Sequence, residues 1–416
     1  MHSNSVASSW PEKPQERVIV VGAGPCGLLT AIRIGQAGIP VTVLEAAPAL
    51  DQRPRATHYS SPAVLELIKA GVFEDVKREG FHPQVVTWRK PDGKELAHMP
   101  MSSTEPGYPY PMVCLPINRL GAVMLEHVKS CPNIEILWGH KVVKVGQDEQ
   151  AAWVEVEHDD DKKTLKAAWI IGTDGASSMV RRDLGLSFDG MSWDKQLVAT
   201  NVYYPFDTKF GWTDSNFIIN PEDWYMAAKI STDGMWRVTY GEVGGLTEKE
   251  LLDRQPSKFE KMLPGAPKPG DYQLSSISPY KIHQRRANTF RKGRFLLAGD
   301  AAHICSPFGG LGLTGGIVDA GNLSDALIGV IKGVADESIL DKYSEIRIKA
   351  FDEIVNPIST ENLLRASEQT PETTMLHDKF LAVLASSEDD PQKLNFLHDK
   401  VMEIQHDFTQ YYHGSL

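Results

Sequence analysis

A glycine-rich turn between a buried strand and a helix constrains the fold of this 416-residue chain more than any other feature. The apolar run Val18–Val21 is typical of a strand that is buried on both faces. Gly22, Gly24 and Gly27 follow it with the spacing G-x-G-x-x-G, and apolar residues then recur at helical spacing. The run VTVLE predicts a second strand that ends at Glu45. The sequence therefore predicts a βαβ unit within an α/β fold.

The same turn has the features of a dinucleotide-binding site. In such turns the first glycine permits the sharp bend, the second lets the backbone approach a pyrophosphate, and the third packs the helix against the strand. The N–H groups at the start of the helix can bind phosphates, and a carboxylate at the end of the second strand can accept a hydrogen bond from a ribose hydroxyl. The motif by itself does not separate FAD from NAD. The cofactor-binding residues that it predicts are Gly22, Gly24, Pro25, Cys26, Gly27, Glu45 and Ala46.

Composition and charge argue against several other classes of protein. The chain has 43 Lys and Arg residues against 54 Asp and Glu, and its net charge of −11 argues against a nucleic-acid partner. No apolar run approaches the length of a membrane helix, about 18–20 residues. The four cysteines are far apart and match neither a zinc motif nor a disulfide framework, which favours a reducing, cytoplasmic compartment. We expect residues 1–14 to form a disordered lead-in.

The pattern of secondary structure changes along the chain and predicts interleaved domains. Period-2 alternation and many aromatic residues predict an antiparallel sheet within 188–284. Outside it, the pattern predicts one helix over 57–76 and a hairpin with the arms AAWVEVEH and TLKAAWIIG. We predict a Rossmann-type dinucleotide-binding domain, a smaller antiparallel-sheet substrate domain and a helical C-terminal region. Their predicted boundaries are 15–78, 113–187 and 285–345 for the first, 79–112 and 188–284 for the second, and 346–416 for the third.

A second G-x-G-x-x-G, formed by Gly310, Gly312 and Gly315, follows the loop sequence SPF (306–308) instead of a buried strand. We interpret it as a glycine-rich loop that lets the backbone approach a flat ligand, and not as a second dinucleotide-binding turn. A nicotinamide cofactor therefore has no obvious domain of its own.

Three separated segments carry a resemblance to a known family. The first is the glycine-rich turn, with Arg53 and Arg55 just beyond it. The second is WIIGTDGASSMVRRDLG (169–185), and the third is GRFLLAGDAAHICSPFGGLGLTGGIVDAGNL (293–323). Together they resemble the FAD-dependent aromatic hydroxylases, the single-component flavin monooxygenases related to p-hydroxybenzoate and salicylate hydroxylases. The last two segments look like the Asp-Gly and Gly-Asp motifs of that family.

The resemblance implies roles for particular residues. Asp300 resembles the carboxylate that holds the ribityl chain of FAD, and Asp174 with Gly175 matches a motif that serves both FAD and NAD(P)H. Arg55 and Arg119 resemble the arginines that approach the flavin phosphate and ribityl region.

The loop after the Gly-Asp motif resembles the one whose backbone lies along the flavin ring, and its matching residues are Pro307, Gly310, Gly312 and Leu313. Thr314 stands where the family commonly has asparagine. A threonine lacks the second donor of the amide, which leaves the flavin contact at this position open.

The family's reaction, as the resemblance implies it, uses FAD with NADPH or NADH as co-substrate. The reduced flavin takes up oxygen as a C4a-hydroperoxide and transfers one oxygen atom to an aromatic or polycyclic small molecule. The reaction can be hydroxylation, epoxidation or insertion of oxygen beside a ketone, and the sequence does not distinguish them. We expect a monomer or a homodimer. The alternatives are an FAD-dependent dehydrogenase, reductase or halogenase on the same fold, or a non-catalytic flavin-binding escort protein. The Trp-x-Trp-x-Ile-Pro motif of the halogenases is absent from the sequence.

The catalytic residue and the substrate are the least constrained by the sequence. Arg237, Tyr225 and Tyr240 lie on predicted strands and are candidates for orienting a phenolate, but alternation sends only about half of such residues to one face. The aromatic density of this region suggests a bulky planar substrate. We interpret His303, which follows the Gly-Asp motif, as a packing residue, and we predict no metal site.

Overall fold

The computed structural model describes residues 17–53, 55–101, 111–159, 161–387 and 392–414, so the predicted lead-in over 1–14 lies outside the described residues. The strands, in chain order, are β1 (Val18–Val21), β2 (Val41–Glu45), β3 (His58–Tyr59), β4 (Val85–Arg89), β5 (Glu95–Pro100), β6 (Val113–Cys114), β7 (Ile134–Trp138), β8 (Lys141–Gln147), β9 (Ala152–His158), β10 (Asp161–Ala167), β11 (Trp169–Gly172), β12 (Phe188–Tyr203), β13 (Ser215–Ile218), β14 (Tyr225–Lys229), β15 (Met235–Glu242), β16 (Gln273–Ala287), β17 (Arg291–Lys292), β18 (Phe295–Leu297) and β19 (His303–Ile304).

The helices within the described residues are α1 (Pro25–Gln36), α2 (Ser61–Lys69), α3 (Phe73–Glu79), α4 (Ile117–Lys129), α5 (Met179–Asp183), α6 (Phe206–Phe210), α7 (Glu248–Met262), α8 (Leu311–Ile331), α9 (Ile339–Ala350), α10 (Asn356–Ser367), α11 (Pro371–His377), α12 (Lys379–Ser387) and α13 (Gln392–Met402). Short 3-10 turns occur at Gly299–Ala301, Pro307–Gly309 and Phe408–Tyr411, and a wider π-type turn over Phe351–Val355 joins α9 to α10. None of these helices combines the length and the apolarity that crossing a bilayer requires.

The predicted α/β fold is confirmed by a six-stranded sheet with the order β17-β18-β11-β1-β2-β7. The neighbours from β18 to β7 run parallel, and β17 adds an antiparallel edge. Every residue of β1 and β11 is buried, as expected for strands of a parallel sheet that is covered on both sides. The carboxyl ends of β1, β2, β11 and β18 all lie at one edge, where the three motifs meet.

A second, eight-stranded sheet has the order β19-β16-β12-β15-β14-β13-β4-β5. It is antiparallel as predicted, except that β4 and β13 run parallel, and β19 extends it from within the Gly-Asp segment. Helix α7 begins at a capping box formed by Thr247 and Glu250, and it covers one face of this sheet with Leu251 and Phe259. The division into a dinucleotide-binding domain and a substrate domain stays a prediction.

Two predictions of local structure are wrong. The helix predicted over 57–76 is the strand β3 followed by α2 and α3, because the chain turns at Gly71, whose φ is +72°. The second arm predicted for the hairpin divides between two sheets. β10 pairs with β9 and ends at Ala167, whereas β11 joins β1 in the parallel sheet, where its run of buried apolar residues belongs.

The C-terminal region is helical, as predicted, and packs against the large sheet and the Gly-Asp loop. The ring of Phe380 in α12 meets Trp88 of β4 edge-to-face, with centroids 5.2 Å apart. The amide of Asn362 in α10 donates a hydrogen bond to the carbonyl of Phe308 at 3.2 Å. The tail thus contributes to the wall of the cavity described below.

Candidate functional site

The glycine-rich turn has the close approaches that make glycine necessary. Gly22 has a φ of +105°, and a Cβ built on it would lie 2.6 Å from the carbonyl oxygen of Thr173. A Cβ on Gly27 would lie 2.0 Å from the carbonyl oxygen of Gly22, so α1 packs directly on the turn. Gly24 faces open space instead, and within the described part of the chain no side chain caps the start of α1. A pyrophosphate has both room and N–H donors at this point.

The carboxylate of Glu45 links the end of β2 to this turn. Its Oε2 accepts a hydrogen bond from the backbone N–H of Ala23 at 2.7 Å, and its Oε1 accepts one from Ala47 at 2.8 Å. A carboxylate oxygen can accept more than one hydrogen bond, so Glu45 can also receive a ribose hydroxyl. Ala46, the next residue, is exposed beside it.

Pro25 and Cys26 open α1, and Cys26 connects the turn to the Gly-Asp segment. A Cβ on Gly299 or on Gly316 would lie 2.6 or 2.8 Å from the Sγ of Cys26. Burial raises the pKa of this thiol well above its ordinary value. Cys26 is therefore a neutral packing group that sets the distance between α1 and α8.

Asp174 organises its own motif. Its carboxylate accepts hydrogen bonds from the hydroxyl of Ser178, at 2.5 Å, and from backbone N–H groups at the start of α5. Gly175, with a φ of +78°, faces open space. The guanidinium of Arg181 then donates to the carbonyl of Ala301 at 2.7 Å, which joins the Asp-Gly motif to the Gly-Asp motif.

Asp300 lines a cavity of about 1450 Å³ between the Gly-Asp loop and the large sheet. Its side chain is exposed toward this cavity. The surrounding protein nevertheless raises the pKa of the carboxyl group, with His303 and Arg55 acting in the opposite direction. Arg55 lines the same cavity. Arg119 instead pairs with Glu79 at 2.6 Å, and it does not belong to the described lining of the cavity.

One wall of the cavity is the loop that leads into α8, with the predicted residues Pro307, Gly310, Gly312 and Leu313. Gly310 has a φ of +65°, and a Cβ there would meet open space, so its backbone is accessible to a flat ligand.

Thr314 is fully buried, and its Oγ1 accepts a hydrogen bond from the backbone N–H of Ser60 at 3.1 Å. In this chain the hydroxyl at that position therefore ties the start of α8 to the start of α2.

The large sheet forms the opposite wall, and its two halves differ in character. Strands β12, β15 and β16 contribute polar residues, which are Asn201, Arg237, Thr239, Ser276, Ser278 and Tyr280. Strands β4, β5, β13 and β14 contribute large apolar ones, which are Val86, Trp88, Met99, Phe217 and Met226. This combination suits an aromatic ring that carries polar substituents.

Arg237 is the cation of the polar half. Its Nε donates to the Oδ1 of Asn201 at 3.0 Å, and the amide of Asn201 donates to the hydroxyl of Ser276 at 2.9 Å, so the network crosses three strands. Burial lowers the pKa of Arg237 to about 10, which leaves the guanidinium charged at neutral pH.

The other two catalytic candidates, Tyr225 and Tyr240, lie on the face of the sheet that packs on α7. The hydroxyl of Tyr225 donates to the carbonyl of Met262 at 2.8 Å, and the ring of Tyr240 meets Phe259 edge-to-face. Burial raises the pKa of both hydroxyls. Neither tyrosine belongs to the described lining of the cavity.

The sequence did not reveal two titratable residues of the cavity wall, His58 and Tyr280. The Nδ1 of His58 lies 2.8 Å from the hydroxyl of Thr57, and its buried Nε2 has no partner. Burial, with a contribution from Arg237, lowers the pKa of His58 to about 4, so the ring is neutral at pH 7. His58 lies on β3, which pairs with β6, and the residues around it in the sequence do not predict its place at the cavity.

A buried ionic cluster supports the Gly-Asp loop from behind. Asp319 of α8 accepts hydrogen bonds from the Nε of Arg347 at 2.6 Å and from the backbone N–H of Gly299 at 3.0 Å. The Nε2 of His303 lies 2.6 Å from Asp319, in a position that agrees with a packing role. Within the described residues, no group of three or more His, Cys, Asp or Glu side chains could hold a metal ion.

The residues present fit a flavin dinucleotide. Gly24 and the uncapped start of α1 offer space and donors for the pyrophosphate, and the carboxylates of Glu45 and Asp300 can accept from sugar and ribityl hydroxyls. The open backbone at Gly310 can approach the ring system.

Comparisons with known proteins agree with this fit. The family model described as the FAD binding domain matches residues 15–356. The chain is 43% identical over 356 residues to para-nitrophenol 4-monooxygenase of Pseudomonas sp. strain WBC-3, which covers 85% of this chain and 88% of that protein. It is 35% identical over 359 residues to 6-hydroxy-3-succinoylpyridine 3-monooxygenase of Pseudomonas putida strain DSM 28022 / S16, covering 86% of this chain and 90% of that protein.

The overall fold also matches that of a relative whose crystal structure is known. The crystal structure of p-nitrophenol 4-monooxygenase from Pseudomonas putida DLL-E4 superposes with a TM-score of 0.88 at 38% identity, covering 94% of this chain and 98% of that one.

Proposed function

The chain belongs to the FAD-dependent aromatic hydroxylases, and on that premise we propose that its substrate is a single-ring phenol with a polar group para to the hydroxyl, of the p-nitrophenol class. The chain is an FAD-dependent aromatic monooxygenase that consumes NAD(P)H. The monooxygenase activity is therefore favoured over the dehydrogenase and the non-catalytic escort alternatives.

The observation that carries the substrate class is Arg237, a cation in the polar half of the cavity, which faces a half that is lined by large apolar side chains such as Trp88, Phe217 and Met226. A phenolate is a better nucleophile than a phenol, and a guanidinium beside its oxygen stabilises the ionised form. The two relatives at 43% and 35% identity carry names of single-ring compounds, which favours a small substrate over the bulky planar one expected from aromatic density. Many of those aromatic residues pack against α7.

We propose the following roles in holding FAD. The turn at Gly24 and the start of α1 bind the pyrophosphate, Glu45 binds the adenosine ribose, and Asp300 binds the ribityl chain. The loop that contains Gly310 lies along the ring system. Bound FAD supplies the chemistry of accepting electrons from NAD(P)H and using them to activate O2.

The chain's own residues orient and enclose the substrate. Arg237, held by Asn201, binds the phenolic oxygen, and Trp88, Phe217 and Met226 surround the ring and exclude water from it. With p-nitrophenol, oxygen transfer to the carbon that bears the nitro group breaks the C–N bond. One molecule each of p-nitrophenol, O2 and NAD(P)H with a proton then gives p-benzoquinone, nitrous acid, NAD(P)⁺ and water.

The test is nitrite formation by the purified holoprotein with p-nitrophenol and either NADPH or NADH. We expect nitrite to appear in proportion to the NAD(P)H oxidised, and a three-ring phenol of the same concentration to give no product. Conversion of the three-ring phenol without nitrite from p-nitrophenol would contradict the proposal. The same assay identifies the preferred nicotinamide.

We further propose a cytoplasmic location. The described structure has all four cysteines as free thiols, which agrees with a reducing compartment. A monomer or homodimer remains our expectation for the oligomeric state.

A further inference from the structure

We propose that Tyr280 binds the substituent that lies para to the phenolic oxygen of the substrate. Arg237 and Tyr280 then form the two ends of a trough that holds one aromatic ring. This inference rests on the proposed function and deepens it, because it names the residue that selects a para acceptor group such as nitro.

The strand register places the two residues on the same face of the large sheet. Arg237 of β15 lies opposite Asn201 of β12, and Tyr280 of β16 lies opposite Leu197 of β12. Asn201 and Leu197 are four residues apart on one strand, so their side chains point to the same side and their Cα atoms are separated by about 13 Å. The cavity-facing residues therefore form successive rows across the strands.

The row between these two ends consists of small side chains. Ala199 of β12 lies opposite Thr239 of β15 and opposite Ser278 of β16, and all three line the cavity. Their short side chains leave a depression in the wall, whereas the guanidinium and the phenol at its ends are long. The positive charge of Arg237 lowers the pKa of the Tyr280 hydroxyl, against the effect of burial.

Tyr280 is available to a ligand in the cavity. Its side chain is 36% exposed although protein surrounds it, because its exposed part faces the cavity. Burial raises the pKa of the hydroxyl, with Arg237 opposing, so the group is a neutral hydrogen-bond donor at pH 7. The neighbouring Ile282 and Leu197 pack with Phe308 of the Gly-Asp loop, which places this end of the trough at the loop.

The two ends differ in the group that they bind. A cation pairs with the phenolate oxygen, and a neutral hydroxyl donates to an uncharged acceptor on the opposite side of the ring. The para carbon then lies toward the loop that we assign to the flavin ring. None of the other titratable or charged residues in the described lining of this cavity belongs to the row between the two ends.

The test compares two ligands in the holoenzyme, with binding followed by the change that each ligand causes in the flavin absorption spectrum. p-Nitrophenol has a strong acceptor at the para position, and 4-(trifluoromethyl)phenol has a group of similar size and electron demand that is a poor acceptor. We expect Tyr280→Phe to weaken the binding of p-nitrophenol by about fivefold to tenfold, as for one neutral hydrogen bond, and to leave that of 4-(trifluoromethyl)phenol unchanged. Tyr225→Phe is the matched control on the opposite face, and it should change neither affinity.

Equal weakening of both ligands by Tyr280→Phe, or no weakening of p-nitrophenol, would overturn the inference. These outcomes are separable from a failure of the proposed function. Selective weakening with no nitrite formed by the unsubstituted protein would support the trough and refute the nitrophenol chemistry. Nitrite formation with no selective weakening would support the nitrophenol chemistry and refute the trough.

Discussion

The Oε2 atom of Glu45 accepts a hydrogen bond from the backbone N–H of Ala23 at 2.7 Å, so the carboxylate at the end of β2 also holds the glycine-rich turn. One side chain therefore couples the proposed ribose site to the proposed pyrophosphate-binding turn. Replacement of Glu45 affects both.

We expect Glu45→Ala to weaken FAD binding by about tenfold or more, because the ribose loses an acceptor and the turn loses one of its restraints. The dissociation constant of FAD from the deflavinated protein, followed by flavin fluorescence, measures the effect. Glu126→Ala removes an exposed carboxylate that pairs with Lys129 and serves as the control. An unchanged FAD affinity would remove Glu45 from the site.

Asp300 offers a second test of the cofactor site. Its carboxylate lines the cavity, and a charge-assisted hydrogen bond to a ribityl hydroxyl is worth about 1.5–3 kcal/mol. We expect Asp300→Ala to purify with much less FAD than the unsubstituted protein, whereas Asp341→Ala, at an exposed carboxylate, should be fully loaded. The ratio of flavin to protein absorbance measures the loading. A fully loaded Asp300→Ala protein would show that the assignment is wrong.

The buried pair of Asp319 and Arg347 predicts a specific dependence of stability on pH. Burial by itself would raise the pKa of Asp319, but the interactions with His303 and Arg347 outweigh it and lower the pKa to about 2. Because the pKa is lower in the folded state, the resulting stability is present above pH about 4 and is lost as the pH falls from about 4 to about 2.

Asp319→Asn leaves the guanidinium of Arg347, which is 1% exposed, without its charge partner. We expect a loss of about 3–5 kcal/mol in the free energy of unfolding at pH 7, measured by urea denaturation. The difference between the two proteins should shrink as the pH is lowered from 4 toward 2. Asp253→Asn, in an exposed pair with Lys249, should change the stability by less than about 0.5 kcal/mol. A difference that stays constant with pH would contradict this account.

Arg237→Met tests the cation of the cavity. We expect phenol binding to weaken by about 10- to 100-fold with the FAD content unchanged, because a charge-assisted contact is lost while an apolar chain of similar length remains. Arg78→Met, at an exposed arginine paired with Asp75, is the control and should leave phenol binding as it is. Unaltered binding in the Arg237 variant would place the phenolic oxygen elsewhere.

The geometry of the glycine-rich turn could be predicted because its determinants are local. The steric needs at Gly22 and Gly27 and the position of Glu45 arise within a single βαβ unit, so spacing in the sequence expresses them. The split of the helix at Gly71 is also local, and the helical pattern on both sides of this glycine concealed it. The passage of the chain from β10 to β11 was missed because tertiary pairing decided it.

The substrate wall could be predicted less well because it depends on which face of a sheet is covered. Alternation places Arg237 and Tyr240 on opposite faces of β15, but only the docking of α7 decides which face is buried. Tyr280 reaches the same face of the sheet as Arg237 through the register of β12 with two strands, and no local pattern expresses that register. The structural role of Thr314 likewise depends on a distant residue, because its hydroxyl accepts a hydrogen bond from the backbone N–H of Ser60.

The central claim is tested most directly by oxygen uptake of the purified holoprotein with NADPH or NADH and p-nitrophenol, with nitrite and hydrogen peroxide quantified in the same reaction. We expect the phenol to accelerate oxygen consumption, one nitrite to form for each O2 consumed, and little peroxide to accumulate. Oxygen consumption that p-nitrophenol does not accelerate, or that appears entirely as peroxide, would contradict the account.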